Sequence, residues 1–108
     1  MQTIRSTREI DAMFRGAEKV DHSLLMLLVA PSARDTSEGR AAFVAGRRLG
    51  NAVARNRMKR VLREALRRAG GPPKAHDIVL VARKGLAQAG AADVDAAMRS
   101  VLGRARLS

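Results

Sequence analysis

The clearest periodicity of apolar positions falls in residues 54–69. Ala54, Met58, Val61, Leu62, Ala65, Leu66 and Ala69 recur at steps of three and four, which places one apolar stripe on an amphipathic helix. The run Gly70-Gly71-Pro72-Pro73 ends that helix. A shorter helix is predicted near 7–17, where Ile10, Met13, Phe14 and Ala17 share a face. Ser6 and Glu9, three residues apart, read as its capping box, and Gly16 weakens its end. Asp93 opens a last helix, with Val94, Ala97, Met98, Val101 and Leu102 on one side.

Strand candidates lie between the helices. Leu24 to Ala30 is a continuous apolar run that periodicity alone cannot assign; its length and the stop at Pro31 favour a strand, although Leu and Met are less strand-like. Arg40 to Ala45, centred on Phe43 and Val44, is a second candidate, and the β-branched run Ile78 to Ala82 a third. There is room for a further short strand near 18–23. Ser32 to Gly39, with Asp35 and Ser37, reads as a polar surface loop, and Gly85 to Gly90 as a small-residue loop. Gly46 and Gly50 bracket a turn-like Arg47-Arg48-Leu49. The order is α-β-β-α-β-α, or α-β-β-β-α-β-α with the extra strand. That describes one α+β domain over 1–108, without repeats.

Composition adds a partner class. The formal net charge is +11 in 108 residues, a self-repulsion that a polyanion relieves. Nucleic acid is the first candidate and an anionic membrane surface the second. With no cysteine, disulfides and thiolate metal sites are excluded. Met1 to Glu9 lacks the apolar core of a signal peptide, and Leu24 to Pro31 is too short to span a bilayer. The chain therefore reads as soluble and cytoplasmic.

The charge is concentrated. Arg47, Arg48, Arg55, Arg57, Lys59, Arg60, Arg63, Arg67 and Arg68 lie within 47–68, with Glu64 as the one acid there. On the long helix Asn56, Lys59, Arg60, Arg63 and Arg67 form a stripe of roughly 16 Å opposite the apolar one. Like charges four apart, Lys59 with Arg63 and Arg63 with Arg67, cost a few tenths of a kcal/mol each. Arg60 has Glu64 as its apparent relief. An uncompensated stripe is intelligible where it meets phosphates, and arginine's planar fork suits bidentate contact. The competing reading is a solvated helix face.

Other chemistry is sparse. His22 and His76 are isolated, no glycine set forms a phosphate loop, and no nucleophile sits beside a base. Neither a catalytic residue nor a metal ligand is assigned on the chain. Arg83 and Lys84 divide evenly between nucleic-acid contacts and solvated strand-end charges, while Arg104 and Arg106 read as solvated. Phe14 and Phe43 both suit a core.

The run Arg47-Arg48-Leu49-Gly50-Asn51-Ala52-Val53, followed by Arg55-Asn56-Arg57, resembles the RNR signature of the bacterial ribonuclease P protein family. Arg63-Glu64-Ala65-Leu66-Arg67 and Asp77 to Gly85 continue the pattern, so the resemblance covers nearly the whole chain. It implies a single-domain α/β sandwich, with a central, mostly antiparallel sheet and a left-handed β-α-β crossover around the basic helix. It implies binding to the catalytic RNA subunit of ribonuclease P and to the single-stranded 5′ leader of precursor tRNA. The leader would lie in a cleft between sheet and helix. Cleavage would be performed by Mg²⁺ held in the RNA, with no cofactor on the protein.

Residue by residue, the resemblance gives Arg55, Asn56, Arg57, Lys59, Arg60 and Arg63 as RNA-facing, with Arg67 continuing the stripe and Arg47 and Arg48 a basic pair before it. Phe14 matches a cleft aromatic suited to stacking on an unpaired base. Leu27 stands where some members carry a tyrosine, Ile10 where many have a second aromatic, and Arg83 completes the cleft set. With no Tyr or Trp, stacking must rest on Phe14 or on arginine planes. Two other classes remain to be distinguished: a DNA-binding regulator, which needs a short helix before the basic one, and a nuclease acting alone.

Overall fold

The computed structural model describes residues 1–32 and 38–106. The centre of the polar loop, Asp35 and Ser37 included, lies outside the described residues. Five strands form one mixed sheet in the order β1-β4-β5-β3-β2. They are β1 (Gln2–Thr3), β2 (Glu18–Asp21), β3 (Leu25–Pro31), β4 (Arg40–Val44) and β5 (His76–Ala82). The helices are α1 (Thr7–Gly16), α2 (Ala52–Arg68) and α3 (Ala91–Arg104). β4 and β5 are parallel neighbours joined through α2, β3 runs antiparallel to both β5 and β2, and β1 adds a short parallel edge.

Strand alternation sorts the apolar residues onto two faces. Leu25, Leu27, Val29, Ala41, Ile78 and Leu80 turn towards α2 and α3, where they meet Met58, Leu62, Leu66, Val94, Met98 and Val101. Leu28, Ala42 and Val79 turn the other way and are closed by Ile4 and by Met13 of α1. Each fully buried Leu or Ile contributes roughly 1.5–3 kcal/mol, so the α2–α3 face carries most of the stabilisation. The continuous apolar run of β3 has this cause: Leu25, Leu27 and Val29 are buried on one face and Leu28 on the other, where Met26 and Ala30 are half-buried.

Local chemistry sets the boundaries. Ser6 Oγ accepts from the Glu9 amide at 3.3 Å, but the box is only half made, because the Glu9 carboxylate turns away to Arg40. Asn51 caps α2, its side-chain oxygen accepting from the Ala54 amide at 2.9 Å. The preceding Gly50 has φ +138°, and a Cβ there would meet that of Ala54 at 3.1 Å. Pro31 ends β3 rather than stopping it one residue earlier; β2 begins opposite Val29, so the missing proline N–H leaves no ladder bond unmade there. Arg47–Leu49 and Lys84–Gln88 are short 3-10 turns, and α3 starts at Ala91, two residues before Asp93.

One polar cluster lies within the α1 face. Arg40 on β4 donates to Asp77 on β5 at 3.0 and 2.7 Å and reaches Glu9 of α1 at 3.3 Å. The Arg40 and Asp77 side chains are each only 9% exposed. The Asp77 hydrogen bonds raise the Arg40 pKa further above its already high value; burial opposes this, and Glu9 adds to the rise. The cluster fastens α1 to two central strands and so fixes where α1 presents Phe14.

Candidate nucleic-acid interface

The direction of β4 determines where α2 begins. β4 and β5 both finish at the same edge of the sheet, where Arg47 and Arg48 follow β4 and Arg83 and Lys84 follow β5. α2 starts at this edge and buries Met58, Leu62, Ala65 and Leu66. At 3.6 residues per turn, Asn56, Arg60, Arg63 and Arg67 then point away from the core, and all four are exposed. Lys59 is half-buried on one flank, and Arg57 is exposed on the other. Arg55 shares the angular sector of Leu62 and Leu66 and is half-buried, with its Nε covered and without a hydrogen-bond partner.

The acids leave most of this surface uncompensated. Arg68 pairs with Asp95 of α3 at 2.8 Å, and that hydrogen bond holds the Asp95 carboxyl below the usual carboxylate range. Glu64 pairs with Arg67, not with Arg60 as its spacing in the sequence suggested. An acid on the N-terminal side of its base is the better helical orientation, which favours Glu64–Arg67 over Arg60–Glu64. Among the described residues, Arg47, Arg48, Arg55, Arg57, Lys59, Arg60 and Arg63 make no ion pair. Arg63 is held by other means: its guanidinium lies 5.1 Å from the centre of the Phe43 ring.

On the opposite face, α1 leaves part of the sheet open. Val44, Val81 and Met26 sit side by side across β4, β5 and β3, with Asp21 of β2 ending the row. The three apolar residues are half-buried, as are Ile10 and Phe14 on α1 beside them. They form an open apolar surface with one aromatic ring between α1 and the strands, called the groove below, and Arg83 lies at its end, hydrogen-bonded to Met26 Sδ. Leu27 is not part of it. Leu27 is fully buried on the α2–α3 face, because neighbouring strand residues point to opposite sides; Met26 holds the groove position. Asp21, Met26, Val44 and Val81 were not singled out by the sequence, since only strand register reveals which residues share a face with Phe14.

No described helix is long and apolar enough to cross a membrane, and no group of three potential metal ligands gathers among the described residues.

Comparison with known proteins matches this geometry to one group. The Ribonuclease P family profile matches residues 1–106. The ribonuclease P protein component of Syntrophomonas wolfei is 38% identical over 84 residues, covering 77% of this chain and 69% of that protein. The RNase P protein of Thermotoga maritima superposes with a TM-score of 0.81 at 27% identity, covering 96% of this chain and 97% of that one. The Staphylococcus aureus RNase P protein shares the fold, with a TM-score of 0.85 at 20% identity over 99% and 97% of the two chains. A basic helix over a mixed sheet, an open groove on the reverse face and a profile match across almost every residue agree: this chain belongs to the bacterial ribonuclease P protein family.

Proposed function

We propose that this chain is the RNA-binding subunit of ribonuclease P, acting in removal of the 5′ leader from precursor tRNA in the cytoplasm. The observation that carries the reading is the set of seven cations from Arg47 to Arg63 that make no ion pair among the described residues, gathered at one sheet edge and along one helix. This surface docks on the folded catalytic RNA. The groove between α1 and the sheet takes the single-stranded leader, whose bases find an apolar floor and the Phe14 ring. Hydrolysis belongs to Mg²⁺ held by the RNA, and the chain contributes binding and placement.

A DNA-reading role is disfavoured by the element before α2, which is a strand and a 3-10 turn where a helix-turn-helix needs a helix. The test is reconstitution. Added to the catalytic RNA at low Mg²⁺, the chain should accelerate leader removal, and alone with Mg²⁺ it should give no specific cleavage. Specific cleavage by the chain alone would place the chemistry on the protein.

A further inference from the structure

Arg83 differs from the cations of the α2 edge in one respect: it is already paired. Its guanidinium donates to the carboxylate of Asp21, 62 residues earlier in the chain. Arg83 follows β5, and Asp21 ends β2; β3 lies between them. Strands are about 4.8 Å apart, so the side chain bridges close to 10 Å across the sheet. It can do so only by lying along the sheet, not by standing off it. Two further observations agree. Nη2 lies 3.6 Å from Met26 Sδ, on the intervening strand. Nε is covered and has no hydrogen-bond partner, as expected for an atom pressed against the sheet.

Both ends of this arrangement are held. The Arg83 amide donates to the Leu24 carbonyl at 3.1 Å, which fixes its backbone. The Asp21 oxygen that Arg83 meets also accepts the His22 amide at 3.1 Å, and the Asp21 carbonyl accepts from Arg104. Nη2 also donates to Met26 Sδ at 3.6 Å, while the side chain stays 40% exposed. The guanidinium is therefore held at the end of the groove, partly exposed, with its charge largely answered by Asp21.

We propose that Arg83, held across β3 by its hydrogen bonds to Asp21 and Met26, is a stacking plane for an unpaired nucleobase of the leader and not a phosphate ligand, with Asp21 as its positioning residue. A phosphate at this site would approach the Asp21 carboxylate and be repelled, whereas a base needs only the planar face. The plane substitutes for aromatic rings that a chain with two Phe and no Tyr or Trp does not have. The proposal rests on the groove reading above and adds the chemistry of one contact.

The test measures binding of leader-bearing precursor against mature tRNA by the assembled ribonucleoprotein over a range of salt. Arg83→Ala should reduce the preference for the precursor by about 5- to 30-fold while leaving the salt slope of precursor binding unchanged. Arg83→Lys keeps the charge, lacks the plane and should not restore the preference. Asp21→Asn should lower the preference and steepen the slope, because the freed guanidinium becomes available to phosphate. A flattening of the slope by about 0.7 in Arg83→Ala, with recovery in Arg83→Lys, would make Arg83 a phosphate ligand and overturn the proposal. Should Phe14→Ala abolish the preference while Arg83→Ala and Asp21→Asn keep it, the proposal fails and the groove stands. If Phe14→Ala and Arg83→Ala both keep it in folded protein, the groove reading itself fails.

Discussion

Pairing makes two arginines of α2 experimentally distinct. Arg60 is exposed and makes no ion pair among the described residues, whereas Arg68 is committed to Asp95 through three hydrogen bonds between 2.8 and 3.1 Å. If Arg60 meets a phosphate, binding releases condensed counterions, and the slope of log K against log salt carries about 0.9 per contact on duplexed nucleic acid. At 0.15 M salt that term alone corresponds to roughly a fivefold loss of affinity in Arg60→Ala, or about 1 kcal/mol. A pair of such losses, in Arg60→Ala with Arg55→Ala, should flatten the slope by about 1.8 units. Arg68→Ala should leave the slope almost unchanged, since its charge is spent within the protein. The assay is filter binding of the catalytic RNA at several salt concentrations, with each variant's melting transition as the control for folding. Equal flattening by Arg60→Ala and Arg68→Ala would show that local pairing does not select the phosphate contacts, and an unchanged slope in Arg60→Ala would remove it from the interface.

Three further outcomes follow from the packing. Leu27→Ala deletes a fully buried side chain from the α2–α3 face and should cost about 2–5 kcal/mol of stability in denaturant unfolding; at temperatures where the variant is folded, its preference for leader-bearing tRNA should match the unaltered chain, and a selective loss of that preference would return Leu27 to the groove. Asp77→Asn leaves the buried Arg40 with Glu9 alone as an ionic partner among the described residues and should destabilise by about 3–5 kcal/mol, whereas a loss below 1 kcal/mol would mean that the cluster is not holding α1. The Asp95 carboxyl is held below its ordinary range by Arg68, so the pair's stabilisation is present above the unfolded aspartate value of about 4 and fades as pH falls through the lower folded value. Acid titration of Asp95→Asn should accordingly lack that part of the unaltered chain's pH dependence, which comparison of the two melting curves measures.

The basic helix was legible in the sequence because its two stripes depend only on local spacing. Apolar residues at steps of three and four leave the opposite face to Asn56, Arg60, Arg63 and Arg67, whatever the rest of the fold does, while Arg55 falls in the apolar sector and is half-buried. The strands were legible as segments but not as surfaces. In Leu24 to Ala30 every position is apolar, so no alternation says which residues face which layer, and Leu27 was assigned to the wrong one. Met26, Val44 and Val81 become neighbours through strand register alone. The Glu64 misassignment was smaller: two bases lay within helical reach, and the orientation of acid before base decided between them. The Arg83–Asp21 pair and the two-residue strand β1 depend on long-range contacts that no local pattern records.

The central claim is that the outward face of α2 lies on the RNA. Because the chain has no cysteine, one can be introduced singly and carry a tethered iron chelate that cleaves nearby RNA through hydroxyl radicals. Val53, 79% exposed on the same side of α2 as Arg60, is the site to label, and exposed Ala96 on α3 provides the comparison. In the assembled particle the account predicts strong, localised cuts in the catalytic RNA from position 53 and markedly weaker ones from position 96. Cuts from position 96 with none from position 53 would place the cationic face of α2 in solvent and contradict it.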